Sequence, residues 1–402
     1  MVNKGQNQTI VRDNNMKLIL FSLLENSMSC SDLAEKLLLS KPAMTKITSE
    51  MLELGLIVSN GSKDRRSYAL GRKKSYLAIN ENVGVVAAID FSTVDIRIGL
   101  YSLSGQEILV RELIDSEFIT EEILGKVADI LTSLLQDKCV QGRELLCLCI
   151  GASGKVDKRT GDIVASPKFY NCRDINLKEF FEKRFDVKVL VKNDMDLSLL
   201  AEKKYGALRG ADKNDAVLLY IDSGIGGAIL SDGNILSGRN GFAGEFGLAV
   251  TVDDDGSEQP YDCIVSINAL KDKIRSYQRE SGEQIFAEKF RFRDVVKKFQ
   301  EGQPAVRKIV LRSADIVARL IVSLIDILDT DRIILSGRVR AFGDAYLQQI
   351  KGNEMLAARS AEVLFSRTDN SVLLGAVFHA IEAAFDILIT RRRMDINLRR
   401  EA

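Results

Sequence analysis

The sequence predicts an α/β protein in two parts: a winged helix-turn-helix head and a two-lobed body of alternating strands and helices. Three observations carry this. Residues 1–80 hold three helical patterns followed by two strand patterns around a basic loop. From Val83 onward strands alternate with helices, with polar loops at the strand ends, which indicates α/β layers. That body contains two strand sets of comparable length, hence two lobes. The 402 residues also exceed one small domain, on a prior of roughly 100–200 residues per domain.

In the head, Met16 to Leu24 is apolar at 16, 18, 20, 21, 23 and 24, a mostly buried first helix. Ser29 or Ser31 can cap a second helix, with Leu33, Ala34, Leu37 and Leu38 on one face. Ser40 can cap a third, with Pro42 tolerated in its first turn. There Met44, Ile47 and Met51 face inward, which leaves Lys41, Thr45, Lys46 and Ser49 outward, short polar and cationic groups suited to a groove. LGLIVSNG and SYLAI then read as two strands, and the loop between them carries Lys63, Arg65, Arg66, Arg72, Lys73 and Lys74 against Asp64. In such a winged helix the third helix enters the major groove of DNA and the wing lies along phosphates. The alternative is a helical protein-interaction domain with a solvated basic loop.

In the body, VGVVAAIDFSTVDIRIGLYSLSGQEILVREL reads as two or three strands with a turn at Ser104-Gly105. A helix over about 121–138 and the strand ELLCLCIGASG follow. Next come a helix from Asp174 to Phe185, the strand VKVLVKND and a helix from Met195 to Tyr205. The second set opens with AVLLYIDSGIGGAIL and continues with helices near 262–280, 292–301 and 304–328. RIILSG, a helix from about Phe342 to Lys351 and the helix LLGAVFHAIEAAFDIL complete it. The expected boundaries are 1–80 for the head and 81–402 for the body. Lobe one spans about 81–195 plus 373–402, and lobe two about 196–372.

Composition narrows the function. Lys+Arg and Asp+Glu both number 56, which excludes a wholly basic coat protein and an acidic disordered chain. The zero is uneven: residues 1–80 hold twelve Lys/Arg against seven Asp/Glu, so a +5 head joins a −5 body. Such asymmetry suits a head that meets a polyanion. Four prolines and no tryptophan argue against Pro-rich linkers. No apolar run of about 18 residues, as a membrane span needs, is expected. The first residues are polar where a signal peptide carries its apolar segment. Six scattered cysteines, with Cys147 and Cys149 inside LLCLCI, read as reduced core thiols and a cytoplasmic location.

The strand-end loops hold the chemistry. Asn193-Asp194 lies between a strand and a helix, where a carboxylate can accept a ligand hydroxyl or take its proton; the bland reading makes Asp194 a helix N-cap. Asp222 to Gly227 resembles a phosphate-cradling turn, a weak signal by itself. Ser237 to Gly247 places four glycines around Glu245, implying close backbone packing with Glu245 aimed at a ligand, or else a plain tight turn.

Together these pieces resemble the ROK family of repressors and sugar kinases, in its repressor branch with an N-terminal winged helix. The matching segments are Gly151 to Asp157, Asn193-Asp194 with Ala201-Glu202, GIGGAIL, GRNGFAGEFG, RIILSG and LLGAV. The resemblance covers residues 12–390. It implies an actin-like body of two ribonuclease H-like lobes, a sugar or sugar phosphate in the interlobe cleft, and dimers or tetramers. Carried over by position, Gly154, Asn193, Asp194 and Glu245 fall on sugar contacts, with Asp194 on the kinases' catalytic base. Asp262 stands for a further sugar-binding glutamate. Family members hold zinc with a histidine and a cysteine cluster after this glutamate. Here Leu248 takes the histidine's place and no cysteine lies between it and Cys263, so no metal or other cofactor is expected. His379, the sole histidine, reads as a core residue of the last helix.

The phosphate loops separate sensor from kinase. Asp90 to Asp95 lacks the glycines of ATP-using members, Val94 falls where a hydroxyl belongs, and Asp95 adds negative charge. Asp222 takes a glycine's place in the second phosphate loop, an unpaired carboxylate beside a triphosphate. Ser336-Gly337-Arg338 keeps only part of a glycine run. The expected function is a sugar-responsive DNA-binding regulator of carbohydrate genes, which binds an operator duplex and has lost phosphoryl transfer. The alternatives are an active hexokinase-like ATP-dependent sugar kinase with a DNA-binding attachment, and a regulator that senses a phosphoprotein or transport component.

Overall fold

The computed structural model describes residues 8–401 apart from 61–74, 94, 114–117, 158–159, 167, 170–174, 211–214 and 254. The helices are α1 (Gln8–Glu25), α2 (Cys30–Lys36), α3 (Lys41–Glu53), α4 (Glu121–Leu135), α5 (Leu177–Phe185), α6 (Asp194–Tyr205), α7 (Tyr261–Val265), α8 (Ile267–Ser281), α9 (Phe292–Gln300), α10 (Pro304–Leu328), α11 (Asp344–Lys351), α12 (Glu354–Ala357) and α13 (Ser371–Glu401). The strands are β1 (Met28–Ser29), β2 (Ile57–Asn60), β3 (Tyr76–Ile79), β4 (Val85–Asp90), β5 (Ile96–Ser102), β6 (Glu107–Leu113), β7 (Leu145–Ala152), β8 (Lys155–Val156), β9 (Ile163–Ala165), β10 (Lys188–Asn193), β11 (Ala216–Ile221), β12 (Ile225–Ser231), β13 (Asn234–Ile235), β14 (Val250–Val252), β15 (Glu258–Pro260), β16 (Arg332–Ser336) and β17 (Glu362–Phe365). The chain divides into two compact units. The first is Met1–Gly154, Arg159–Lys192 and Ala376–Ala402; the second is Lys155–Lys158 and Asn193–Gly375.

The first unit opens with a winged helix fold: α1, α2 and α3 with a three-stranded sheet in the order β1-β3-β2. Ser29, one of the two expected caps, starts α2 in a reciprocal box with Asp32. Ser40 caps α3, with Pro42 in its first turn. Met44 and Met51 are fully buried and Ile47 nearly so, while Lys41, Thr45, Lys46 and Ser49 are exposed. β2 and β3 pair antiparallel from Ile57↔Ile79 to Asn60↔Tyr76, and the unanticipated β1 completes the sheet. One expectation in α1 fails: Leu18 is 49% exposed. The buried stripe runs through Met16, Ile19, Leu20 and Leu23 at helical spacing, which turns Leu18 to the opposite face.

The main sheet of this unit has the order β10-β7-β4-β5-β6. β4 is antiparallel to β5, β5 to β6, and β4 parallel to β7. β4 is buried along its whole length, which explains the apolar run VVAAI before Asp90. The part of α13 in this unit meets α1: the Phe21 ring stacks on Phe378 at 5.8 Å and meets Phe385 edge-on at 5.7 Å. His379 departs from its expected core place. It is partly exposed and lies 3.4 Å from Glu382, one helical turn on.

The second unit repeats the sheet plan in the order β13-β12-β11-β16-β17. β13, β12 and β11 are antiparallel neighbours; β16 runs parallel to both β11 and β17. β17 and α12 carry no signal in the sequence reading. The single helix expected over 262–280 is two helices, because Ser266 is extended (ψ 161°) and its hydroxyl caps the amide of Ala269.

Ser371–Arg391 is long and apolar enough by mean hydropathy to cross a bilayer. His379, Glu382 and Asp386 interrupt its apolar run, however, and 72% of its 18-residue apolar window is buried within the protein, as in a core helix. The cysteines among the described residues are all free, and burial pushes the Cys147 thiol up to about 12.

Candidate functional site

Four of the five expected sugar contacts lie in or at the edge of the second unit, around the start of β12. At the head of α6, Asn193 rather than Asp194 is the N-cap. The Asn193 side chain accepts the amides of Met195 at 2.9 Å and Asp196 at 3.1 Å. Asp194 is thereby the first helical residue, 8% exposed, and its Oδ1 accepts from Nδ2 of the Asn193 side chain at 3.1 Å. A carboxylate in a first turn is stabilised by the helix dipole. The helix that Asn193 and Asp194 open packs on β12, where a Cβ on Gly226 would lie 3.3 Å from Cγ of Met195.

The next glycine of β12 meets the Glu245 loop. Gly244 has φ +100°, and a Cβ there would lie 2.2 Å from the carbonyl oxygen of Gly227, so only glycine fits. This is the close backbone packing that four glycines around one glutamate imply. Glu245 itself is exposed and makes no capping hydrogen bond. Asp262 turns inward, where its Oδ1 accepts the amide of Ile225, and a Cβ on Gly247 would lie 2.9 Å from the same oxygen. Its visible work is to hold the β11–β12 turn against the Glu245 loop.

Gly154 belongs to the first unit and follows β7. It has φ +97°, and a Cβ would lie 2.4 Å from the carbonyl oxygen of Ala165. Among the described residues no three His, Cys, Asp or Glu side chains group as metal ligands, and Leu248 is 58% exposed.

Both phosphate-type loops are occupied from within their own units. Asp90, at the end of β4, is 2% exposed; its Oδ1 accepts the Ser92 amide at 2.7 Å and the Ser92 hydroxyl at 2.6 Å. Burial pushes its carboxyl up from the ordinary range, against those bonds and the nearby Lys168 and Arg97. The Lys168 ammonium donates to the carbonyl oxygen of Thr93. In the second unit Asp222 is not the unpaired carboxylate expected. Arg338 Nε donates to its two oxygens at 2.8 and 2.9 Å, Nη2 donates to Oδ1, and the Arg338 amide donates at 3.2 Å. Hydrogen bonding to this carboxylate pushes the guanidinium further up, and the guanidinium lies over the Phe292 ring at 5.6 Å.

In sequence Asp222 and Arg338 stand apart as two separate departures from glycine, and the structure pairs them. Opposite charges in two loops that resemble one ligand's cradle were the available signal. Glu202, which in sequence stands only within a matching segment, is a fully buried carboxylate, as a charge on the apolar face of DLSLLAEK signals.

On the winged helix, Lys41, Thr45, Lys46 and Ser49 project from one exposed face of α3. The Thr45 hydroxyl donates to the Lys41 carbonyl at 2.9 Å and lies 3.9 Å from Cys30 Sγ. Arg65, Arg66, Arg72 and Lys73 of the expected wing lie outside the described residues.

The chain is similar along nearly its whole length to the xylose repressor of Caldicellulosiruptor bescii, at 22% identity over 92% of this chain and 96% of that protein. It is 25% identical to the glucokinase of Thermotoga maritima, over 64% of this chain and 82% of that one. Among solved structures, a ROK family transcriptional regulator, a homolog of the E. coli MLC protein, superposes with a TM-score of 0.78 at 20% identity, covering 96% of this chain and 99% of its own. The model of the ROK family matches residues 86–380, well over half of the sequence, and the chain belongs to the ROK family.

Proposed function

We propose that this protein is a sugar-responsive transcriptional repressor of carbohydrate uptake or metabolism genes, acting in the cytoplasm as a homodimer or homotetramer without phosphoryl transfer. The observation that carries the reading is the pairing of a winged helix with a body whose second phosphate loop is closed by the Asp222–Arg338 ion pair. A nucleotide phosphate at that loop would have to displace a bidentate guanidinium and meet the freed carboxylate. Full-length similarity to a xylose repressor supports the same reading.

In this proposal Lys41, Thr45, Lys46 and Ser49 read base edges in the major groove, and Arg65, Arg66, Arg72 and Lys73 hold phosphates. Gly154, Asn193, Asp194, Glu245 and Asp262 bind the sugar or sugar phosphate. The ligand acts by binding one arrangement of the protein better than another, which shifts DNA affinity. A band shift on duplex from upstream of the gene, with and without a sugar panel, tests it. DNA affinity indifferent to every sugar that binds would sink the switch.

The intact Asn193-Asp194 pair at the start of α6 favours one second reading, an active sugar kinase. Incubation with ATP, magnesium and a hexose panel decides between them. Turnover lost in Asp194→Asn establishes the kinase.

A further inference from the structure

We infer that α13 carries the state of the sugar site to the DNA-binding head, with Glu202 as the positioning residue that locks α6 to α13. The inference rests on the repressor reading above.

The path starts at Asp194, the first residue of α6. Two turns on, Glu202 is fully buried. An ionised carboxylate without water is costly unless hydrogen bonds replace its hydration. Here the Ala207 amide donates at 2.7 Å, the Ser366 hydroxyl at 2.7 Å, the Thr368 amide at 2.9 Å and the Arg367 amide at 3.2 Å, and the Thr368 hydroxyl also donates. Burial alone would raise this carboxyl, but the bonds from Ala207, Thr368 and Ser366 hold it below the ordinary range. Most of these donors lie on the segment that leads directly into α13.

The first turns of α13 are fixed to α6 twice more. The Ser371 hydroxyl donates to Ser198 Oγ at 2.9 Å. Gly375 is pressed on the backbone of α6, where a Cβ would lie 2.1 Å from the carbonyl oxygen of Leu197. Backbone held on backbone, with a buried carboxylate beside it, leaves little room for one helix to shift without the other.

From Ala376 the same helix belongs to the first unit and meets α1. Besides the Phe21 contacts with Phe378 and Phe385, Lys17 lies 2.9 Å from Asp386 and 3.7 Å from Glu382. α1 in turn packs in the winged helix, and its Arg12 pairs with Glu50 of α3. α13 thus meets α6 through Ser371 and Gly375 in its first turns, and α1 through Phe378, Glu382, Phe385 and Asp386 further along the same helix.

The test uses the full-length protein and D-xylose, with other sugars in parallel. Sugar affinity is measured by calorimetry and DNA affinity by anisotropy on the upstream duplex, each with and without the other ligand. The ratio of DNA affinities with and without sugar is the coupling factor. Glu202→Gln and Asp386→Asn should each bring a wild-type factor of about tenfold or more below about threefold, with sugar-free DNA affinity and DNA-free sugar affinity within about threefold of wild type. The double variant should lose no more than either single one, as two links on one path require. Asp386 is half exposed, so its variant decides the matter if Glu202→Gln fails to fold. A sugar-responsive wild type whose variants keep the full coupling factor overturns the proposal and leaves the repressor reading standing. A wild type whose DNA affinity ignores every sugar overturns both.

Discussion

The two units repeat one sheet plan and place an aspartate at the same point of it, the end of the first strand of an antiparallel pair. Their solutions for that charge differ. Asp90 is served by Ser92, its neighbour in sequence, and burial outweighs those bonds, so its carboxyl is raised. Asp222 is served by Arg338, 116 positions away at the end of β16. A local turn tolerates a buried acid, whereas a distant cation ties two strand ends together. The comparison teaches that a similar loop can be vacated by substitution in one unit and closed by a crosslink in the other.

The sharpest way to break this contrast is to disturb the framework of the second loop. Gly244→Ala should cost about 3 kcal/mol or more, summing left-handed strain and overpacking on Gly227; urea unfolding reads it. Arg338→Ala comes next, at about 2 kcal/mol for a charged hydrogen-bond pair, discounted because the guanidinium side chain is 54% exposed. Asp90→Asn should cost less than about 1 kcal/mol, since the Ser92 bonds can persist. An Asp90→Asn loss equal to that of Arg338→Ala would erase the distinction.

The pH dependence sharpens the contrast further. A carboxyl raised in the folded state opposes folding when ionised, and that cost is relieved as pH falls through its folded value. The stability difference between wild type and Asp90→Asn should therefore move toward wild type on acidification from pH 7. Glu202, depressed, has the opposite sign: its contribution is present above the ordinary glutamate range and is lost as pH falls through the folded value. Glu202→Gln should thus close its gap to wild type on acidification, and parallel denaturation series would show both slopes.

Much of this was legible in the sequence where the cause is local. Capping serines and the apolar run that opens β4 act within a few residues, and the elements follow. The glycines around Glu245 likewise announce backbone contact before the partner is known. What was not legible depends on the distant partner. Arg338 meeting Asp222, Asp262 turning to the Ile225 amide, and Ser366 with Thr368 around Glu202 are tertiary pairings with no fixed spacing. Leu18 failed for a related reason, because hydrophobicity alone does not say which side of a helix finds a neighbour.

The contact between α1 and α13 also bears on how the molecule is made. Lys17 and Asp386 are separated by 369 positions. At about 5–20 residues per second of synthesis, Phe21 waits on the order of tens of seconds for its aromatic partners. Until then the head has its three helices but lacks the support it rests on. A chain truncated before α13 would carry Phe21 without the rings of Phe378 and Phe385, and Lys17 without Asp386.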